Sequence, residues 1–331
     1  MIITTRSYPR AALLGNPSDG YFGKTIAFTF KNFSAEVTLW ETPELEILPA
    51  EYDTNIFKGI RELTADVKLF GYYGGIRLLK AAVKRFYEYC ESNSLMLSDR
   101  NFTIRYHSDI PFRLGLAGSS AIITACLKAL MIFYKIEIPK TILPNLILSV
   151  EKEELGIAAG LQDRVVQSYE TPVYMDFNRE LIESRGYGIY EPMNKDLFHH
   201  LYIAFRTDLS EGSEVVHNNF RERYDFDDPE VLNSIKQWVA LTDKGKIALE
   251  KQDYHALAEL INRNFDIRRT VMNISRTNIQ MVELARSAGA SAKFTGSGGA
   301  IIGTYTDDQM FEHLRHILSS EQIEVIKPII I

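Results

Sequence analysis

The sequence predicts a mixed α+β fold in two domains, and three observations carry that prediction. Strand-like and helix-like stretches alternate along the 331 residues, without repeats or low-complexity tracts. Two glycine-rich turns, one around Gly115 and Gly118 and one around Gly296 and Gly298, lie far apart in the chain, and each adjoins an apolar run. The length is itself a soft prior for two domains.

Residues 11–14 read as a short apolar strand that stops at Gly15, after which Asn16, Pro17, Ser18, Asp19 and Gly20 supply turn chemistry. Residues 25–39 alternate and are rich in Phe, Val and Thr, as strands are. Residues 72–89 place Ile76, Leu79, Ala82, Val83 and Phe86 at helical spacing. A short strand at 102–106 leads into the first glycine-rich turn. A helix running into Glu151 ends near Gly156, and Gly160 begins a turn that presents Asp163. Residues 178–196, with Gly186, Gly188 and Pro192, are the best candidate for a domain boundary. Beyond them a second α/β unit starts with a strand at 201–205 and continues with amphipathic helices at 231–249 and 254–264.

The run Pro111-Phe112-Arg113-Leu114-Gly115-Leu116-Ala117-Gly118-Ser119-Ser120-Ala121 is the most informative stretch. A Gly/Ser turn that opens an apolar helix presents unpaired N–H groups at the positive end of the helix dipole, which suits phosphate oxygens. Glycine lets the backbone come close to such a ligand, and Ser119 and Ser120 add hydroxyls for phosphate or Mg²⁺. No Gly-Lys-Ser/Thr follows, so this is not a Walker loop. Two carboxylates accompany it: Glu151 and Asp163 can divide the work of holding a metal and meeting the proton of an attacking hydroxyl. Glu153 and Glu154 read as a solvated helix face.

The pattern Pro-x-x-x-Gly-Leu-Ala-Gly-Ser-Ser-Ala resembles the ATP-binding loop of the GHMP kinases, the family of galactokinase, homoserine kinase, mevalonate kinase and phosphomevalonate kinase. Two further segments look like the family's other motifs. Arg10 precedes the first apolar strand and Asp19 follows it, as in the substrate motif. The turn Thr295-Gly296-Ser297-Gly298-Gly299 looks like the third motif, which folds back on the phosphate loop. The resemblance implies a two-domain GHMP kinase fold. An N-terminal α/β domain (1–190) would carry the phosphate loop, a C-terminal α+β domain (195–331) the third motif, and the active site would lie in the cleft between them. It implies that Pro111, Gly115, Leu116, Ala117, Gly118, Ser119, Ser120, Ala121, Gly296, Ser297 and Gly298 bind ATP. Ser120 and Glu151 would hold Mg²⁺, Asp163 would act as base with Arg10 as catalytic cation, and Arg164 would be a neighbouring cation.

The chain departs from galactokinase at Asn16 and Pro17, where that enzyme has Glu-His, which argues against galactose. The strings at 14–26, 71–79, 118–122 and 160–167 resemble plant-type glucuronokinases instead, more loosely between 201 and 285. That likeness implies a sugar 1-kinase forming glucuronate 1-phosphate. Other GHMP reactions (on galacturonate, fucose, a heptose phosphate or mevalonate) stay open, as does a non-catalytic sugar and nucleotide sensor. Asn16, Asp19 and Tyr72 are candidate partners for ring hydroxyls, and Arg10, Lys24 and Arg77 for a carboxylate. Lys24 and Arg77 read equally well as solvated surface charges.

Composition excludes several classes. Hydrophobic residues make up 46% and charged residues 24%, as in ordinary globular chains. A net charge of −6 supplies no basic field for nucleic acid or an anionic membrane, so the expected partners are a small sugar or sugar acid and a nucleotide. No stretch reaches the ~20 apolar residues of a membrane helix, and the N-terminal segment lacks a signal peptide's apolar core. Two cysteines in apolar surroundings, Cys90 and Cys126, read as buried free thiols. A cytoplasmic monomer or homodimer is the expectation.

Overall fold

Burial along each strand decides how it must be covered. In the computed structural model, which describes residues 1–50, 74–207 and 220–331, Ile2–Ser7 (β1) alternates exposed and buried residues. Arg10–Leu14 (β2) is buried throughout and so needs cover on both faces. The chain forms two compact units that interleave along the sequence. One comprises Met1–Pro9, Phe33–Ile110 and Gly118–Ala159; the other comprises Arg10–Asn32, Pro111–Ala117 and Gly160–Ile331.

The first unit holds a sheet of order β1-β4-β6-β5, with β4 Ala35–Thr42, β5 Glu46–Ile47 and β6 Asn101–Ser108. Its pairs are antiparallel except β5–β6. Helices α1 (Gly75–Ser92) and α2 (Gly118–Tyr134) cover its apolar face. Phe102 meets Phe133 edge-on with ring centroids 5.5 Å apart, and Thr5 Oγ1 donates to the Ala125 carbonyl at 2.7 Å. A short helix α3 (Leu143–Ser149) runs straight into a π-helical turn, Val150–Glu154, and this turn carries Glu151.

The second unit contains two sheets. In the first, of order β2-β3-β7-β8, β3 is Lys24–Thr29, β7 Val173–Asp176 and β8 Ile189–Pro192. One face packs on α4 (Gln162–Tyr169), where Val165 and Val166 join Ala12, Ala27 and Val173 in one cluster. Helix α7 (Pro229–Glu250) packs on β3 at Gly245, which lies against Leu14 and Ile26. Between these elements in the chain come α5 (Arg179–Arg185) and α6 (Phe220–Asp225). The other sheet, β10-β11-β9-β12, is formed by Lys293–Phe294, Ala300–Thr304, Leu201–Arg206 and Ile323–Ile326. Helices α8 (Tyr254–Val271), α9 (Arg276–Ser287) and α10 (Asp308–Ser319) cover it through Phe265, Val282 and Leu314.

Most elements appear where periodicity places them. The strand-like run 25–39 resolves into β3 and β4, parted by a turn in which Ser34 N donates to Asp109 Oδ1. The stretch 178–196 carries α5 and β8, and β8 pairs with β7 along its whole length, so these residues belong to a sheet edge.

Gly15, which ends β2, has φ +86°, and an added Cβ would run into the Lys24 carbonyl. Both the left-handed conformation and the missing space demand glycine there. Gly15→Ala should therefore cost about 2–4 kcal/mol or more of stability, combining αL strain with a backbone clash. A thermal melt within a degree of wild type would contradict this.

Candidate active site

Arg10, the first residue of β2, places a buried guanidinium among three segments far apart in sequence. Its Nε donates to Asp163 Oδ1 and its Nη2 pairs with Asp163 Oδ2, both at 2.6 Å. Its Nη1 donates to the Gly115 carbonyl (3.0 Å) and the Thr295 carbonyl (2.6 Å). Main-chain bonds from Arg10 N to Leu116 O and from Ala12 N to Thr295 O, each 3.0 Å, fix the same neighbours. One arginine thus ties the Asp163 helix, the Gly115 loop and the third glycine turn to β2. A planar fork with five donors suits this task, and a lysine cannot reproduce it.

Asp163 lies in the first turn of α4, where a carboxylate is favoured by the helix dipole. Burial alone would push its carboxyl up. The guanidiniums of Arg10 and of Arg164 (3.2 Å from Oδ2), with hydrogen bonds from Arg10 and Gln162, outweigh burial and hold it below the usual carboxylate range. Asp19 goes the other way. Burial and the neighbouring charge of Asp163 push it up to about 6, against the pull of Arg10 and Arg164. Its carboxylate lies against Gly160, where a side chain would displace it. Two carboxylates in one site therefore differ in proton affinity.

The loop before α2 takes left-handed φ at Arg113 (60°), Gly115 (66°) and Ala117 (62°), a backbone habit that turns N–H groups into an anion-binding concavity. Gly115 also meets the third turn: an added Cβ would lie 2.9 Å from the Gly298 carbonyl and 3.1 Å from Ser297 N. The two glycine turns touch within one unit. Gln167 Nε2 holds the Ala117 carbonyl at 3.0 Å. Gly118 differs: its φ is ordinary, and an added Cβ would find Ile110 at a comfortable 3.4 Å. Among the described residues nothing requires a glycine there. Leu116 is buried, while Pro111 and Ser119 are partly exposed and Ser120 and Ala121 are buried in the first turn of α2.

In the other unit, Ser119 Oγ donates to Glu151 Oε1 at 2.8 Å, and Glu151 is fully buried. Ser119 is thus one hydroxyl partner of the carboxylate, and the Ser120 carbonyl accepts from Thr124 Oγ1 at 2.7 Å. Among the described residues no group of three or more His, Cys, Asp or Glu side chains could by itself hold a metal. One carboxylate with serine hydroxyls is nonetheless a hard-oxygen set that fits Mg²⁺, which takes its remaining ligands from phosphates and water. Glu153 and Glu154 form ion pairs with Arg85 (2.9 Å) and Lys84 (2.7 Å) of α1.

Of the other substrate candidates, Lys24 is already engaged: its Nζ lies 3.3 Å from Asp176 and 3.0 Å from Asp243, and the Asp243 carboxylate also accepts from Tyr174. Burial works against its charge, and these partners outweigh burial to raise its pKa. Arg77 lies exposed in the first turn of α1, and Tyr72 lies outside the described residues. Asn16 is buried and held from α8. Asn264 Oδ1 accepts from Gly15 N at 2.7 Å, Asn264 Nδ2 donates to Asn16 O at 3.0 Å, and Arg268 Nη1 donates to Asn16 Oδ1 at 3.1 Å. Arg268 also donates to Gly296 O (2.7 Å) and Ser297 O (3.1 Å), which joins the Gly15–Asn16 turn to the third glycine turn. Lys293, fully buried, donates to Ala12 O at 2.6 Å; burial and the charges of Arg268 and Arg10 push its pKa well below normal.

Asn264, Arg268 and Lys293 surround these segments and are residues that motif reading passes over. A signal for the first two was present. Asn264 and Arg268 stand one turn apart on the face of α8 that also carries Leu257, Ile261 and Phe265. Two polar residues on an apolar stripe must find buried partners.

The Asp19 value carries a pH consequence. Its folded-state pKa of about 6 lies above the ordinary 3.8, so folding takes up a proton between those values. Stability falls as pH rises through that window, and the cost is complete above pH 6. Asp19→Asn should raise stability at pH 7 by about 1–2 kcal/mol and leave it nearly unchanged at pH 4. Melts at the two pH values check this; an equal effect at both would contradict it.

Family models match in two places: GHMP kinases N terminal domain at residues 77–171 and GHMP kinases C terminal at 246–323. The chain is 45% identical over 304 residues to "Probable glucuronokinase 2" of Arabidopsis thaliana, which covers 90% of this chain and 82% of that one. It is 43% identical over 306 residues to Glucuronokinase 1 of the same plant, covering 91% and 84%. The fold superposes on the crystal structure of Lactococcus lactis galactokinase complexed with galactose with a TM-score of 0.76 at 14% identity, covering 99% of this chain and 93% of that one. Glycine turns that meet across the sequence, a buried Arg10–Asp163 pair at their junction and matches over most of the chain lead to one conclusion: this chain belongs to the GHMP kinase family.

Proposed function

We propose that this chain is an ATP- and Mg²⁺-dependent sugar 1-kinase that phosphorylates the anomeric hydroxyl of D-glucuronate. The observation that carries the catalytic part is the Arg10 fork, which holds Asp163 ionised while gripping the carbonyl of Gly115 in the phosphate loop. The substrate class rests on the two glucuronokinase relatives and on the polar turn at Asn16 and Asp19.

ATP supplies the phosphoryl group, and Mg²⁺ neutralises phosphate charge. The chain's residues do the remaining work. The Gly115–Ala117 backbone and the start of α2 cradle phosphate oxygens, and Glu151 with Ser119 or Ser120 offers oxygen ligands to the metal. Asp163 orients the attacking hydroxyl and takes its proton. Its lowered pKa is compatible with that role, because in a loose phosphoryl-transfer transition state the proton leaves late, once the attacking oxygen has become acidic. Asp19 meets ring hydroxyls, and Asn16 lies beside it in the same polar turn. Cys90 and Cys126, buried free thiols, suit a reducing cytoplasm, and as sequence domains we retain 1–190 and 195–331.

Asp163→Asn should lower turnover by roughly 10²–10⁴-fold with nucleotide affinity little changed, and should also lower the melting temperature because Arg10 loses its counter-charge. Near wild-type turnover would remove Asp163 from the mechanism. Gly118→Val gives a separate reading of the loop. The described residues leave room for an added Cβ, and a thermal melt separates any effect of the two γ-methyls on folding from the expected loss of ATP binding by calorimetry. Normal ATP binding would reduce the segment to a turn. ADP release measured with glucuronate, galacturonate, glucose and galactose tests the substrate: glucuronate should lead in kcat/KM, and equal rates with glucose would overturn the assignment.

A further inference from the structure

The cations nearest the substrate turn are unequally committed. Arg10 is locked to Asp163, and Lys24 to Asp176 and Asp243. Arg268, buried in the last turn of α8, feels the charge of Asp19 but among the described residues bonds no carboxylate: its acceptors are two backbone carbonyls and the side-chain oxygen of Asn16, and its Nε meets no acceptor there. Its guanidinium rests over the Phe294 ring, 5.1 Å from the centroid.

This contact settles which way the Asn16 amide faces. Arginine has donors and no acceptor, so the oxygen of Asn16 must point at Arg268 and its NH₂ must point away. The Asn264 side chain bonds the backbone of Gly15 and Asn16, so it fixes the position of the turn, and among the described residues the Asn16 NH₂ meets no protein acceptor. Asn16 therefore offers two donors, on an amide polarised by a buried positive charge. Such a group favours a ligand that can only accept. A carboxylate fits it better than a hydroxyl, which gains less from a charge-polarised donor.

We infer that Arg268 and Asn16 form a specificity relay in which Arg268, a positioning residue, aims the Asn16 amide donors at the carboxylate of the sugar acid. The inference rests on the glucuronate reading above and deepens it by naming the groups that select the acid over a neutral sugar. It assigns Asn16 to the carboxylate in place of a ring hydroxyl, and it relieves Lys24 of that role.

The test compares kcat/KM for D-glucuronate and D-glucose, with ATP and Mg²⁺, in the wild type, Asn16→Asp, Arg268→Met and Arg268→Lys. Asn16→Asp keeps the shape and gains an ion pair with Arg268, so it should melt no lower than wild type. It replaces donors with acceptors, and the glucuronate-to-glucose preference should fall by about 10–100-fold, chiefly through the KM for glucuronate. Arg268→Met should lower the preference in the same direction. Arg268→Lys, which can still donate to Asn16 Oδ1, should retain more of it than the Met variant. A merely structural role would lower both sugars together. If the wild type prefers glucuronate and Asn16→Asp keeps that preference, or loses both rates in proportion, the relay is overturned and the substrate reading stands. If the wild type shows no preference for the acid, the substrate reading falls and takes the relay with it.

Discussion

Arg10 is shared among more structural demands than any other side chain of the site. It begins a strand buried on both faces, it neutralises Asp163, and it holds carbonyls of two glycine turns that the sequence separates by about half the chain. A buried guanidinium is tolerable only when its donors are nearly all used, and here four hydrogen bonds or ion contacts use them. The consequence runs both ways. The turns cannot move far without stranding a charge, and Asp163 cannot change its protonation without loosening the turns.

The second constraint is geometric. Gly115 and the third turn approach so closely that neither has space for a side chain at the contact, and left-handed φ values at 113, 115 and 117 leave the loop's backbone strongly curved. Gly118, by contrast, is not demanded by protein packing. That difference separates glycines that the packing requires from one that the described residues do not require. Electrostatics adds a similar division of labour: Asp163 is held ionised by two arginines, and Asp19, with burial winning, keeps a higher proton affinity.

Helix α8 supplies what the motifs lack. Asn264 and Arg268, one turn apart, hold the Gly15–Asn16 backbone, orient the Asn16 amide and reach the third turn. The rest of that helix face packs on sheet β10-β11-β9-β12 through Phe265, so the polar pair is positioned by an apolar core. Specificity toward an acidic sugar would thus depend on packing well away from the sugar.

Much of this was legible along the chain because it depends on near neighbours. Periodicity marks β2, α7, α8 and the α2 stretch, and the glycine-serine string around Gly118 and the Glu151–Asp163 spacing carry their chemistry locally. Three things were not legible. Lys24 looks like a free cation until Asp243, more than two hundred residues away, is found beside it. The sequence reading pairs Ser120 with Glu151, and only the folded first turn of α2 reveals that Ser119 also bonds that carboxylate. Arg268 belongs to no motif, and its partners Asn16, Gly296 and Ser297 come from the two ends of the chain. Hydrophobic period and turn chemistry act over a few residues and can be read from order alone, whereas the pairing of buried charges is set by which elements the core brings together.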